Sequence, residues 1–434
     1  MGVSSSLFSG VSGLNANGNA MSVIGNNIAN ANTVGFKSSR TVFGDLLSSQ
    51  ISGSGGISQV GRGVGLSIVD NVFSQGTFET TESNTDLAVE GAGFFMVSDP
   101  ASGNASNNYT RAGAFRFDAN GYLVNPEGFN VMGYQLDVNG KTFGDLVPIW
   151  ANTQSFSPAG PTANISLNTN IDSDSVSIPA GFDITDPSST SHYATSIQVF
   201  DSLGSTHLMT TYFTKTSNQN WEWNTVVDGG EVAGGTAGTL ELVGNGVLNF
   251  DASGDLDLAT SGIGNPLVTA GVFTTNAGAL DWTNGAVQTQ QITLDMQTTQ
   301  YASPSVVVSQ EQDGFGTGTL VKLNIDNAGN VIGNFSNGTP RLLMQLALAK
   351  FSNPGALTKS GNNMFAQSGN SGPPTIGTVG SGVGNIFTNA LELSNVDLAQ
   401  EFVKMITTQR GFSANSKTIT TTDEMLAEII NLKR

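Results

Sequence analysis

The chain has 434 residues, a formal net charge of −18, 54 glycines, two histidines and no cysteine, which excludes disulfide staples, zinc–thiolate centres and histidine-rich metal sites. Only 12% of the residues are charged, about half the usual ~25%, and glycine stands well above its usual ~7%, a balance that suits a turn-rich, mainly β protein of several units. The acidic excess disfavours a nucleic-acid backbone or an anionic membrane surface as partner, since both demand clustered Lys and Arg.

The first predicted element is a helix. Leu7, Val11, Leu14, Met21, Ile24 and Ile28 step by three, four or seven, a stripe near the spacing of a coiled-coil seam. Gly10, Gly13, Gly18 and Gly25 interrupt it, each costing about 0.5–1 kcal/mol in a helix interior, so the segment needs a partner to fold against. No charged side chain precedes Lys37, and the rest of the helix is Ser, Asn, Ala and Gly. Small uncharged residues let neighbours approach from several sides, as inside an assembly. The start has neither the basic stretch nor the unbroken apolar run of a secretory leader, and no run of about 18 apolar residues occurs, so no membrane span is expected.

Residues 48–65 and 360–384 are rich in Gly and Ser and read as linkers between helical ends and a β-rich middle. Within that middle a short unit recurs at Asp118–Gly121, Asp137–Gly140, Asp251–Gly254 and Asp326–Gly329. Asp at the first position can accept from the backbone ahead, and Gly at the fourth can take a positive φ, so each reads as a hairpin turn. Asp251, Ser253, Asp255 and Asp257 resemble a calcium loop only partly: no glycine stands at the sixth position, and Gly262 occupies the place of the twelfth-position Glu. The stretch 151–310 holds 14 Asp and Glu against one basic residue, Lys215, and is expected to be a solvated, outward region. The two histidines, His192 and His207, lie there and read as surface or turn residues rather than partners of a nucleophile. No phosphate loop ending in GK[ST] occurs, and no catalytic, cofactor or metal site is read anywhere in the chain.

The last element is a second helix. Leu391, Leu398, Met405, Phe412, Ile419 and Leu426 fall on a strict seven-residue repeat, with Phe402 and Ile430 on the adjoining track. Residues 394–397 supply N-cap candidates, and Lys433 with Arg434 closes the last turn. By periodicity alone both ends could equally be ordinary core-facing helices.

Residues 12–40, SGLNANGNAMSVIGNNIANANTVGFKSSR, resemble the N-terminal signature of the bacterial flagellar rod and hook proteins, with Asn26, Asn27, Asn30, Asn32, Thr33, Gly35 and Phe36 carrying the motif. Residues 394–432 are similar to the C-terminal signature of that family, and DLAVEGAGFF (86–95), YTRAG (109–113) and GYLV (121–124) match its interior. Length and the insertion at 151–310 point to the hook branch, with which Thr299-Gln300-Tyr301, Gln312-Asp313-Gly314 and Phe351-Ser352-Asn353-Pro354 also agree.

The resemblance implies a multidomain α+β chain in which the terminal helices form a coiled-coil-like domain and mainly β domains are nested outside it. The expected division is a helical assembly domain at 1–34 plus 391–434, a linker or connecting region at 35–75 plus 356–390, an inner β domain at 76–150 plus 311–355, and an outer acidic β domain at 151–310. It implies no enzyme but a subunit that self-assembles into a curved hollow tube, a universal joint carrying torque from rod to filament outside the cell after export without a cleaved leader. The partners implied are many copies of itself, the distal rod, hook cap and hook–filament junction proteins, and the flagellar export apparatus. The alternatives are a distal-rod or junction protein of the same family, or a secreted β-rich adhesin or carbohydrate-acting enzyme.

Overall fold

The computed structural model describes residues 2–431 apart from 54–55, 103–106, 138–139, 153–155, 258–260, 264–271 and 275–279. Two compact units result: one comprises residues 1–153, 322–333 and 340–434, the other 154–321 and 334–339. No helix among the described residues is long and apolar enough to cross a membrane.

In the first unit, helices Gly2–Ala29 and Leu398–Asn431 lie side by side. They run antiparallel, since Gly10 meets Ile419, Gly13 meets Asn415, Asn17 meets Gly411 and Asn27 meets Glu401. The C-terminal helix begins where its sequence offers a cap: the Asp397 carboxylate accepts from the N–H groups of Ala399 (2.9 Å) and Gln400 (3.2 Å), satisfying donors that the first turn leaves free. Lys433 and Arg434 lie outside the described residues.

The β part of this unit is built on the strand Pro340–Lys350, which pairs antiparallel with Asn130–Leu136, Gly93–Ser98 and Thr375–Thr378. Asn107–Thr110 then pairs with Gly93–Ser98, and Met364–Ala366 with Asn107–Thr110. Alternation explains why GFFMVS at 93–98 is buried throughout. Phe95 and Val97 enter one core with Leu87, Leu123, Leu346 and Leu348, while Phe94 and Met96 enter another with Tyr109, Phe351 and Phe365.

The Gly- and Ser-rich stretches expected to be linkers carry strands instead. Ser49–Gly53 and Gly56–Val60 pair as a hairpin, Val64–Asn71 pairs with Ser39–Asp45, and Thr358–Gly361, Met364–Ala366 and Thr375–Thr378 belong to the main sheet. Low side-chain bulk weakens a strand's intrinsic preference but leaves every backbone donor and acceptor, and a neighbouring strand end supplies the partners.

Three of the four hairpin units form as read, and the fourth, at Asp137–Gly140, includes residues 138–139, which lie outside the described residues. At all four first positions the Asp carboxylate accepts from the backbone N–H four residues on, as with Tyr122 at 2.8 Å and Asn330 at 2.8 Å, and the glycine at the fourth position has positive φ. Asp201–Gly204 and Asn125–Gly128 repeat the device with Leu and Glu between. Asp251, the first member of the calcium-like run, uses its carboxylate to hold its own turn through Ser253 and Asp255.

The second unit is two sheets around one core. Asn164–Asp172 is flanked by Thr293–Tyr301 in parallel and Val306–Gln312 antiparallel. The other sheet is a meander of Tyr193–Phe200, Thr206–Ser217, Asn220–Asp228 and Leu240–Asn249. Ile165, Leu167, Leu294 and Met296 of one sheet pack with Phe213, Trp221, Trp223 and Leu248 of the other. His207 is not the surface residue its setting suggested. It is 7% exposed, its ring stacks on Trp282 at 3.6 Å between centroids, and its nitrogens face Glu231 (2.8 Å) and Asp201 (3.2 Å).

Candidate assembly site at the paired termini

The contact between the terminal helices is made by small side chains. Gly10, Gly13, Ala16, Ala20, Ile24 and Asn27 form the buried face of the N-terminal helix, spaced three or four apart as one helical face requires. The predicted stripe is a neighbouring track. Of its members Ile24 is buried, Leu7, Leu14, Met21 and Ile28 are half-buried, and Val11 is exposed.

The heptad series divides in the same way. Met405, Ile419 and Leu426 are half-buried, Ile419 against Gly10, whereas Leu398, Phe402, Phe412 and Ile430 face solvent, Phe402 at 50% and Ile430 at 67%. Phe8, Val403, Ile406, Met425 and Ile429 join them outside. Leu391 is not on the helix at all. It lies in the strand Ala390–Glu392 opposite Glu79, because the chain stays extended until the Asp397 cap. Within one chain only part of the seven-residue repeat faces the other helix, with Ile419 against Gly10, and the antiparallel contact is centred on the glycine and alanine face, which allows the closer approach.

Signature residues gather where the helices meet the β part. Asn27 is 1% exposed, donates to the Ser39 carbonyl (2.8 Å) and to Glu401 (3.2 Å), and accepts from the Ser39 N–H (2.9 Å). Asn30 donates to the Asn26 carbonyl, Thr33 donates to the Asn30 side chain, and Asn32 is exposed. Gly35 has φ +69° and a Cβ there would stand 2.5 Å from the Ala112 nitrogen, so any other residue would collide with backbone. Phe36 is buried, with the Lys359 ammonium 5.3 Å from its ring centre.

Beside these lies a buried charge cluster that the sequence did not single out. Glu392 accepts from Lys37 Nζ at 2.6 Å and the Gly76 N–H at 2.9 Å on one oxygen, and from Arg111 Nη1 at 3.3 Å on the other. The side chains are 0% exposed for Lys37 and Glu392 and 2% for Arg111. Lys37 also donates to the Ser74 carbonyl, and Arg111 to the Val89 carbonyl while stacking over Phe94. Burial pushes the Lys37 ammonium below its usual value; Glu392 opposes that shift and Arg111 adds to it. Asn395 accepts from the Ser38 N–H and donates to the Val72 carbonyl. The root of the N-terminal helix, the root of the C-terminal helix and the β part thus meet on one carboxylate. The available signal was that Lys37 is the first charge in the chain and Arg111 stands in the quoted YTRAG motif.

Four family descriptions match the chain in order. "Flagella basal body rod protein" covers residues 7–37, "Flagellar hook protein FlgE/F/G D1 domain" 88–193, "Flagellar basal body protein FlaE D2 domain" 170–315 and "Flagellar basal body rod FlgEFG protein C-terminal" 388–432. The class so defined is the structural proteins of the flagellar rod and hook. Among curated proteins, the flagellar hook protein FlgE of Treponema pallidum is 38% identical, and that of Borreliella burgdorferi 36%, each over 99% of both chains. The Salmonella typhimurium flagellar hook protein is 33% identical over 98% of both. The chain belongs to the flagellar hook protein family.

Proposed function

We propose that this chain is a subunit of the bacterial flagellar hook, polymerising through its terminal helices into a curved hollow tube that transmits torque from rod to filament. Besides the full-length relatives, the observation that carries the reading is the row of large apolar side chains left in solvent on the C-terminal helix: Leu398, Phe402, Val403, Ile406, Phe412, Met425, Ile429 and Ile430. A lone helix pair gains nothing from such a row, whereas packing against sister copies would bury it. The heptad track of Leu398, Met405, Phe412, Ile419 and Leu426 becomes, in this reading, a seam between subunits.

In the nested arrangement we propose, residues 1–34 with 391–434 form the assembly domain, 35–75 with 356–390 connect it to an inner β domain at 76–150 and 311–355, and 151–310 stands outermost. The connecting region is built of paired strands and so would pass load while allowing bending. The acidic outer segment would make wet, sliding contacts, its charge screened beyond about 8 Å at physiological salt. The distal rod, the hook cap, the hook–filament junction and the export apparatus are the proposed partners.

The test is complementation of a strain lacking its own hook subunit, with negative-stain microscopy of the product. A short curved tube supports the reading. A straight rod would favour a distal-rod role, and a folded, soluble chain that never polymerises would overturn the assembly reading.

A further inference from the structure

The interhelical contact contains a reciprocal arrangement of two glycines and two asparagines. Asn17 donates its side-chain amide to the Gly13 carbonyl on its own helix at 2.8 Å, and Asn415 does the same to Gly411 at 3.0 Å. Each asparagine then lies on the other helix's glycine. A Cβ on Gly13 would stand 2.6 Å from Asn415 Oδ1, and a Cβ on Gly411 would stand 2.9 Å from Asn17 Oδ1. The spacing Gly-x-x-x-Asn occurs once in each helix, and the antiparallel crossing brings the two copies together about a local two-fold.

We propose that Gly13, Asn17, Gly411 and Asn415 form a lock that sets the register of the terminal helices. The geometry leaves one register. Sliding one helix a full turn in one direction would set Asn17 against Asn415; sliding it the other way would set Gly13 against Gly411 and open a gap. The asparagine amides are tied to their own helix turn, so neither is free to swing aside at no cost. A heptad of large side chains could define register between helices, but here Leu398, Phe402 and Phe412 face solvent and only Ile419 is seen against the partner helix, at Gly10, which leaves most of the register to the small side chains. These four are positioning residues: they fix where Leu398, Phe402 and Phe412 stand relative to the N-terminal helix. Their effect on polymer formation rests on the assembly reading above, whereas the register claim does not.

Gly18 and Gly25 supply the control. A Cβ on Gly18 or Gly25 meets nothing within 4 Å, and alanine is the better helix former at all four positions. If helix propensity alone mattered, the four Gly→Ala changes would act alike. The experiment uses the full chain, which has no native cysteine, with spin labels on Asn15→Cys and Ser413→Cys. Polymer yield and label-to-label distance are both read. Gly13→Ala and Gly411→Ala should lose the native distance and lower yield about tenfold or more by overpacking, while Gly18→Ala and Gly25→Ala keep a single native distance. Removing the opposing amide should rescue: Gly13→Ala with Asn415→Ala, and Gly411→Ala with Asn17→Ala, should recover most of the yield at the native distance. Equal behaviour of all four alanines, or rescue pairs no better than the singles, would overturn the lock. A chain that never polymerises yet shows the native distance, lost in Gly13→Ala and regained in the rescue pair, would sink the assembly reading and leave the lock standing.

Discussion

The terminal helices and the two-sheet unit solve the burial problem in opposite ways. Around Trp221, Trp223, Phe213 and Leu248 the largest side chains are inside, each fully removed from solvent. Between the helices the smallest are inside, Gly10, Gly13, Ala16 and Ala20, and the largest are outside. The sheets therefore bury their largest side chains within one chain, although strand residues such as Leu208 and Val308 stay exposed. The helical pair does not, and what stabilises it within one chain is close approach, polar ties at Asn27 and the buried cluster at its root.

The strongest way to break this contrast is to place a charge on the outer track of the helix. Leu398→Asp or Phe412→Asp should abolish polymer formation, because an unpaired carboxylate would enter a buried subunit seam, while the melting temperature of the isolated chain stays near native; tubes of normal length from either variant would refute the assembly role of that track. In the two-sheet unit the expectation reverses. Trp223→Ala should cost about 3–5 kcal/mol by cavity formation, read as a lowered denaturation midpoint of that unit, with helix content unchanged.

At the root of the helices, Lys37→Met should destabilise the first unit by about 3 kcal/mol, since removing one partner leaves buried charge uncompensated; circular dichroism melting of the full chain would report it. Asp397→Ala removes an N-cap and should cost about 1 kcal/mol, visible as fraying of the first helical turn in hydrogen exchange.

The smallest effect is expected from acid. Burial alone would raise the Asp201 carboxyl, but bonds from the Asn284 and His207 side chains and from the Ser205 and Leu203 N–H groups hold it below its ordinary value of 3.8. A carboxyl depressed on folding contributes stability that is present above its unfolded value and lost as pH falls through the folded one. The second unit should accordingly lose stability below about pH 4, and Asp201→Asn should flatten that slope; an unchanged acid limb in the variant would count against it.

Much of this was legible locally. The Asp-to-Gly turns at 118–121, 251–254 and 326–329 depend on residues four apart, and the Asp397 cap depends on its own next turn, so sequence spacing suffices for both. Leu391 was misplaced because a seven-residue spacing continues past a helix end without any local cue; its extended conformation comes from pairing with a strand 312 positions earlier, at Glu79. The Gly- and Ser-rich stretches read as linkers because their composition carries little strand preference, yet they pair partly with each other, as Ser49–Gly53 with Gly56–Val60, and partly with Ser39–Asp45 and Pro340–Lys350. His207 looked exposed because an acidic neighbourhood in sequence says little about which side chains fold over it, here Trp282 and Glu231.

What the sequence determined by itself was the period of each element, the turn chemistry and the family signatures, all properties carried by residues a few positions apart. Which helical face meets the partner helix, which strands adopt the glycine-rich segments, and that Lys37, Arg111 and Glu392 share one buried site were decided only by tertiary structure. Glu392 lies 355 residues from Lys37, and a buried charge is tolerated only where its counter-charge arrives through the fold.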